Sequence, residues 1–417
     1  MNRTLLEALF SHAVAKAQPA SAVLRNLPAK PVGRTVVIGA GKASAQMAKA
    51  FEEAWDAPLG GLVVTRYGCA VPCERIEIVE AGHPVPDEAG IVAARRMMEI
   101  VSDLEHNDLV VALMSGGGSA LLPAPAPGLS LGDEQAINRA LLASGAPIEV
   151  MNLIRNQFSI IKGGRLAALA SPARVTTLVV SDVPGDDPAT VASGPTIVLT
   201  GTRELARKYA TLYRLTLPPA AVALLDSEDN AAPRADHPAF AANSVSTIAS
   251  AVLSLESAAD LARGQGVEAV ILSDSIQGEA RDVAQVHAAI AREIASRNRP
   301  FKKPVVLLSG GETTVTLRGN GRGGRNSEFL LALAIAIDGH KGISALAADT
   351  DGIDGSEDNA GAYADGTTVS RLRTAGIDPL TALVNNDAYS AFAAIGDLAM
   401  TGPTGTNVND FRAIVVL

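Results

Sequence analysis

Short apolar runs of five or six residues recur along the chain, separated by longer stretches in which apolar positions return every three or four residues. The first pattern is that of buried strands and the second that of amphipathic helices. Their alternation predicts strands joined by crossover helices in a largely parallel sheet. In the first half the strands fall at 35–38, 61–65, 76–80, 108–114 and 174–181, with helices at 42–55 and 87–104 between them. This is the pattern of a doubly wound α/β sheet. Ahead of it, residues 1–18 set Glu7, His12 and Lys16 among apolar neighbours, which is helix spacing and not that of a signal peptide.

From 225 to 238 (LDSEDNAAPRADHP) the sequence turns polar, acidic and proline-containing, the composition of an exposed linker. A chain of 417 residues exceeds one ordinary core, so a boundary there divides it into domains 1–235 and 236–417. Beyond it, 245–264 and 279–297 read as helices, and 267–273, 304–309, 313–317, 343–348 and 413–417 as strands, a second α/β domain.

Composition narrows the class. Hydrophobic residues make up 47% and aromatics only 3%, which suits helices packed on Val/Ile/Leu strands. A formal charge of −9 argues against a nucleic-acid partner, whose phosphates need a basic face. No apolar run approaches the roughly 20 residues of a membrane span, so a cytoplasmic protein is expected, with no membrane partner. Cys69 and Cys73 lack a second pair to complete a zinc site and read as reduced structural thiols. Assembly into a homo-oligomer is left open.

The chemistry concentrates where strands end. VVIGAGKAS sets Gly39, Gly41 and Lys42 between a strand and a helix, where glycines admit an anion to the backbone and lysine adds a point charge. A plain tight turn with a surface lysine fits the same residues. The loop is not a Walker A, because Val36 and Ala43 stand where glycine and Ser/Thr are required. It is also a poor dinucleotide fingerprint. Ser44 replaces the third glycine, and Arg66 stands where an acid would hold a ribose hydroxyl, although an arginine there still admits NADP. MSGGGSALL, with Ser115, Gly116, Gly117, Gly118 and Ser119, suits a phosphate or a carboxylate, and Leu113 excludes the G-x-S-x-G elbow.

Phosphorylating an alcohol requires a carboxylate at the hydroxyl and magnesium on the polyphosphate. Asp182, leaving the strand at 174–181, is the candidate for the first task. Asp186 and Asp187 follow as capping or solvated acids, with Asp186 the one metal candidate. In GRGGRNSEF, Arg325 begins a helix, an unfavourable place for a cation unless an anion is near, so it is assigned to clamping a carboxylate or stabilising the transferring phosphoryl group. SGGET (Gly310, Gly311, Glu312), ADTDGIDG (Asp351) and TGPTGTNVND read as further strand-end loops, the middle one beside nucleotide or magnesium and lacking the EF-hand ligand ladder. VALMSGGGSA and VLLSGGETTV share one strand-to-glycine pattern, consistent with one such turn per domain or with unrelated glycine turns. His83 in HPVPDE reads as a turn residue, and the other histidines are too scattered for a triad.

Together VVIGAGKAS, HPVPDE, MSGGGSALL, SDVPGDD…SGPT, LLSGGET, GGRNSEF, DTDGIDG and TGPTGTNVND resemble the class II glycerate kinase family across nearly the whole chain. The resemblance implies a Rossmann-like N-terminal glycerate kinase domain followed by a MOFRL domain. It further implies ATP- and magnesium-dependent phosphorylation of D-glycerate at its 2-hydroxyl, in a cleft between the domains. Lys42, Asp182 and Arg325 fall on family motif positions. The family often has GGRNQE, and here Ser327 replaces the glutamine. Relatives also carry the name hydroxypyruvate reductase, so NAD(P)H-dependent reduction is the alternative, although neither the first loop nor the histidines supply a convincing hydride site and proton donor.

Overall fold

The computed structural model describes residues 2–227 and 230–417; Met1 of the first expected helix, and Glu228 and Asp229 of the expected linker, lie outside the described residues. The chain forms two compact units, one of residues 19–183 and 187–248, the other of residues 1–18, 184–186 and 249–417.

The first unit is built on β1 (Thr35–Ala40), β2 (Leu59–Arg66), β3 (Ile76–Ala81), β4 (Leu109–Ser115), β5 (Arg174–Val180) and β6 (Ser244–Ala249), in the spatial order β3-β2-β1-β4-β5-β6. Strands β1 to β5 pair in parallel. Every residue of β1 and β4 is buried, because helices cover both faces of such a sheet and leave no solvent side for polar alternation. Val36, Ile38 and Ala40 share one core with Leu62, Val110 and, from the helix Glu88–Val101, Ala94 and Met97. That helix starts where Asp87 accepts the Gly90 N–H at 3.1 Å.

Two differences from the sequence expectation concern the ends of this unit. Residues 245–249, expected to open a helix, belong to β6 instead. Val245, Thr247 and Ile248 are β-branched and favour the pleat, and the helix Ala251–Gly264 begins only where Ser250 accepts the Leu253 N–H. Because β6 extends the first sheet, the compact unit runs past the expected boundary at 235/236 to Ile248.

The second unit holds β7 (Glu268–Glu279), β8 (Val305–Thr314), β9 (Ile343–Asp349), β10 (Gly361–Asp365), β11 (Leu398–Ala399) and β12 (Asp410–Val416), ordered β11-β10-β9-β12-β8-β7. Only β7 and β8 run parallel, joined by the crossover helix Ala280–Arg297; the other pairs are antiparallel. Side chains alternate between faces. Val305, Leu307, Ile414 and Val416 meet that helix and the helix Arg325–Ala336, whereas Val306, Leu308, Ala413 and Val415 meet the helices Arg3–Lys16 and Ala251–Gly264. The N-terminal helix thus contributes Leu5, Leu6, Leu9 and Phe10 to the core of the second unit. The strand expected at 313–317 is only the end of β8. Among the described residues no helix is long and apolar enough to cross a membrane.

Candidate active site

In the first sheet the chain winds outward from β1 through β2 to β3, then returns to place β4 on the other side of β1. Loops leaving β1 and β4 therefore diverge and open a crevice at the carboxyl ends of the strands. The register Ala40↔Met114 and Ser115↔Val180 brings 41–43, 116–119 and 181–182 to one level. The loops are tied together: Lys42 donates its N–H to the Gly116 carbonyl at 2.9 Å, and the Ser115 hydroxyl accepts the Ala43 N–H at 3.0 Å and bonds the Ser44 hydroxyl at 3.0 Å. Gly41 donates to the Val64 carbonyl. The amides of 41–43 are thus spent inside the fold and do not form the anion cradle expected of them.

The glycines divide into two kinds. Gly39 and Gly41 serve close approach, since a Cβ on Gly39 would stand 2.4 Å from the Leu113 carbonyl and one on Gly41 2.1 Å from the Ser115 hydroxyl. Gly116 and Gly117 instead face chemistry. A Cβ on Gly116 would stand 1.7 Å from Asp182 Oδ2, and one on Gly117 would stand 2.9 Å from His83 Nε2 and 3.4 Å from Lys42 Cε. The structure therefore brings Lys42, His83 and Asp182 around one two-residue turn. Among the described residues neither the Lys42 side chain nor the His83 ring has a hydrogen-bond or ion-pair partner. Burial holds His83 below its ordinary pKa, helped by the charges of Lys42 and Arg66. Substituting Gly116→Ala must push the Asp182 carboxylate aside, so we expect turnover to fall by roughly 10²-fold with the fold retained. Steady-state rates alongside a thermal melt check this; undiminished turnover would remove Asp182 from the chemistry.

Around Ser119 the sequence hides a second feature. Ala192, Ser193 and Gly194 have φ of 54°, 60° and 59°, a left-handed run that costs about 1–2 kcal/mol for each non-glycine member. It is held because Gly163 and Gly164 donate to the Ser193 and Gly194 carbonyls, and because the Ser193 hydroxyl bonds Ser119 at 2.7 Å and Asn152 Oδ1 at 3.0 Å. Such strain concentrates at functional sites. Of the acids after Asp182, Asp187 caps the following turn by accepting the Ala189 N–H, and Asp186 takes a left-handed φ of 52° in the short segment 184–186 that clusters with the second unit.

In the second unit Arg325 opens its helix as expected, but not as a free cation. Its Nε donates to Asp410 Oδ1 at 2.7 Å and its Nη2 to Asp349 Oδ2 at 2.6 Å, while Nη1 lies 3.4 Å from Glu312. Asp410 also accepts from Asn326, Thr313 and the fully buried Arg412. Burial, with the charges of Asp351 and Asp410, raises the Asp349 pKa above its ordinary value despite Arg325. Asp351 folds back so that its N–H meets Asp349 Oδ1, and Asp354 caps the helix through the Asn326 and Ser327 N–H groups. The Ser327 hydroxyl adds a bond to the same carboxylate.

The SGGET segment is not a loop. It lies within β8, where Gly310 pairs with Phe411 and Gly311 has Ile276 and Asp410 as its register partners. A Cβ on Gly311 would stand 2.2 Å from the Ile276 carbonyl, so these glycines answer a strand-packing need, and only Glu312 reaches the arginine cluster. Among the described residues no three His, Cys, Asp or Glu side chains are placed to hold a metal ion.

Fold and site define an α/β enzyme with a half-buried lysine, unpartnered among the described residues, at the switch point of one sheet and a buried arginine–carboxylate cluster in another. Residues 5–226 match a domain of unknown function (DUF4147), and residues 305–410 match the MOFRL family. A protein from Agrobacterium vitis that carries the provisional name hydroxypyruvate reductase is 56% identical over 92% of this chain and all of its own length. The D-glycerate 2-kinase of Thermotoga maritima is 42% identical over 94% of this chain and 93% of that protein. A crystal structure of glycerate kinase from the same organism superposes with a TM-score of 0.90 at 39% identity, covering 99% of each chain. The chain belongs to the MOFRL-containing glycerate 2-kinase family.

Proposed function

We propose that the protein transfers the γ-phosphate of ATP to the 2-hydroxyl of D-glycerate, as a cytoplasmic enzyme. The carrying observation is that Lys42, half-buried and unpartnered among the described residues, and the Asp182 carboxylate stand over adjacent glycines of one turn. The substrate hydroxyl gives its proton to Asp182 as its oxygen bonds to the γ-phosphorus, and the bond from that phosphorus to ADP breaks. Lys42 offsets charge on the transferring oxygens, so the protein supplies position and field more than covalent chemistry. Magnesium enters with the nucleotide, in keeping with an ion usually held by substrate phosphates and not by an all-protein cage.

A second reading has one observation in its favour: the order β3-β2-β1-β4-β5-β6 is that of dinucleotide-binding sheets. Against it, Ser44 occupies the third-glycine position with its hydroxyl bonded to Ser115. Incubating the full chain with D-glycerate and Mg-ATP under a coupled ADP assay separates the two. We expect ADP formation that depends on D-glycerate. No ADP above background, with NADPH consumed on hydroxypyruvate, would reverse the ranking.

A further inference from the structure

His83 belongs to the loop after β3, yet its ring stands at the turn after β4, with β2 and β1 between those strands. A loop crossing two strand ends needs anchoring, and this one is anchored just after the histidine, at Pro86 and Asp87. The Asp87 carboxylate accepts the Gly90 N–H and the Tyr67 hydroxyl, the latter at 2.7 Å, and the Pro86 carbonyl accepts from Gln135 Nε2 at 2.7 Å. Gly82 is required as well, since a Cβ there would stand 2.6 Å from the Val85 carbonyl. This places an imidazole nitrogen and the end of the Lys42 stem over the same point, the side-chain-free face of Gly117, whose φ of 83° further selects glycine. Two nitrogen-bearing side chains without partners among the described residues, converging on bare backbone, form a receptacle for oxygen acceptors.

We propose that His83 is the second anchor, beside Lys42, of an oxyanion subsite over Gly117, donating Nε2–H to a carboxylate or phosphate oxygen. The inference rests on the kinase reading only for which oxyanion this is: the carboxylate of the hydroxy acid or a phosphate of the nucleotide. The charged groups that face the ring are Lys42 from the β1 loop and Arg66 from the end of β2, both cationic. Burial first, and these two charges with it, hold the unliganded imidazole below its ordinary pKa. An anion bound between Lys42 and His83 offsets that field, so binding takes up a proton on the ring and converts a neutral donor into a charge-assisted one.

Histidine titrations followed by NMR test this on the intact protein, with the His83 resonance identified by its loss in His83→Gln. We expect the His83 pKa to rise by about one pH unit or more on saturation with inorganic phosphate, with D-glycerate, or with both; the ligand that acts identifies the source of the oxyanion. Lys42→Met should raise the pKa of the unliganded ring, because it removes a positive charge that faces it. No rise with either ligand overturns the subsite whether or not the protein forms ADP, and no response to Lys42→Met overturns the pairing with the lysine. The kinase reading stands or falls separately, on the ADP assay.

Discussion

Lys42→Met lowers kcat for D-glycerate phosphorylation by on the order of 10²–10³-fold and leaves the melting temperature nearly unchanged. The first half follows from what surrounds the residue. Its stem lies over Gly117, its ammonium has no carboxylate partner among the described residues, and the glycines allow charge to come close. A cation without a partner in a half-buried crevice is available to charge that develops only during transfer. The second half follows from the same absence: removing a side chain that holds no partner changes stability by only about 0.5 kcal/mol. Lys42→Arg should recover little, because a planar fork does not replace a compact point charge above a tight turn. Turnover by the coupled ADP assay, beside a thermal melt, checks both halves. Full kcat in Lys42→Met removes the lysine from the mechanism; a large fall in melting temperature assigns it to the fold.

How much of this could be read from the sequence depends on what kind of information each feature needs. Strands β1 to β5 lie within two residues of their expected bounds: β1 and β4, buried throughout, carry a nearly continuous apolar signal, and the edge strand β3 still offers Ile76, Ile78 and Val79. Lys42 and Asp182 were legible as residues leaving strands. Their meeting at one turn was not, since it depends on β4 lying between β1 and β5, an order no local pattern encodes. The place of His83 is hidden for the same reason: its loop follows an outer strand, and only the crossing brings it inward. The signal available was HPVPDE itself, a histidine held between a glycine-dependent turn and a helix cap.

The second unit misled for a different reason. Glycine usually ends strands, so SGGET read as a loop, whereas β8 keeps Gly310 and Gly311 because β7 and β12 crowd them. The partners of Arg325 were equally hidden. Asp410 closes the TGPTGTNVND motif, but that it lies opposite Asp349 and Gly311 is a matter of antiparallel register. A cation at a helix N-terminus does require an anion nearby, and Arg325 has Asp349 and Asp410. The anions are the protein's own.

That pairing sets the other large effect. Arg325→Met leaves Asp349 and Asp410 buried without the guanidinium that bridges them, and breaking a buried pair from one side costs about 3–5 kcal/mol at neutral pH. The cost should depend on pH in a defined direction. Burial and the neighbouring acids already raise the Asp349 pKa above its unfolded value, and Arg325 works against that rise. Without the arginine the folded-state pKa climbs further, so over the added interval the folded variant holds a proton that the unfolded chain has released. Stability of such a group falls as pH rises, because the unfolded state then binds fewer protons than the folded one. The deficit of the variant relative to the parent therefore grows as pH rises through the two folded-state Asp349 values. Urea unfolding of both proteins across a pH series measures it. A deficit that is constant, or larger in acid, would mean that Arg325 does not lower the Asp349 pKa, and would return it to the role of a cation reserved for substrate.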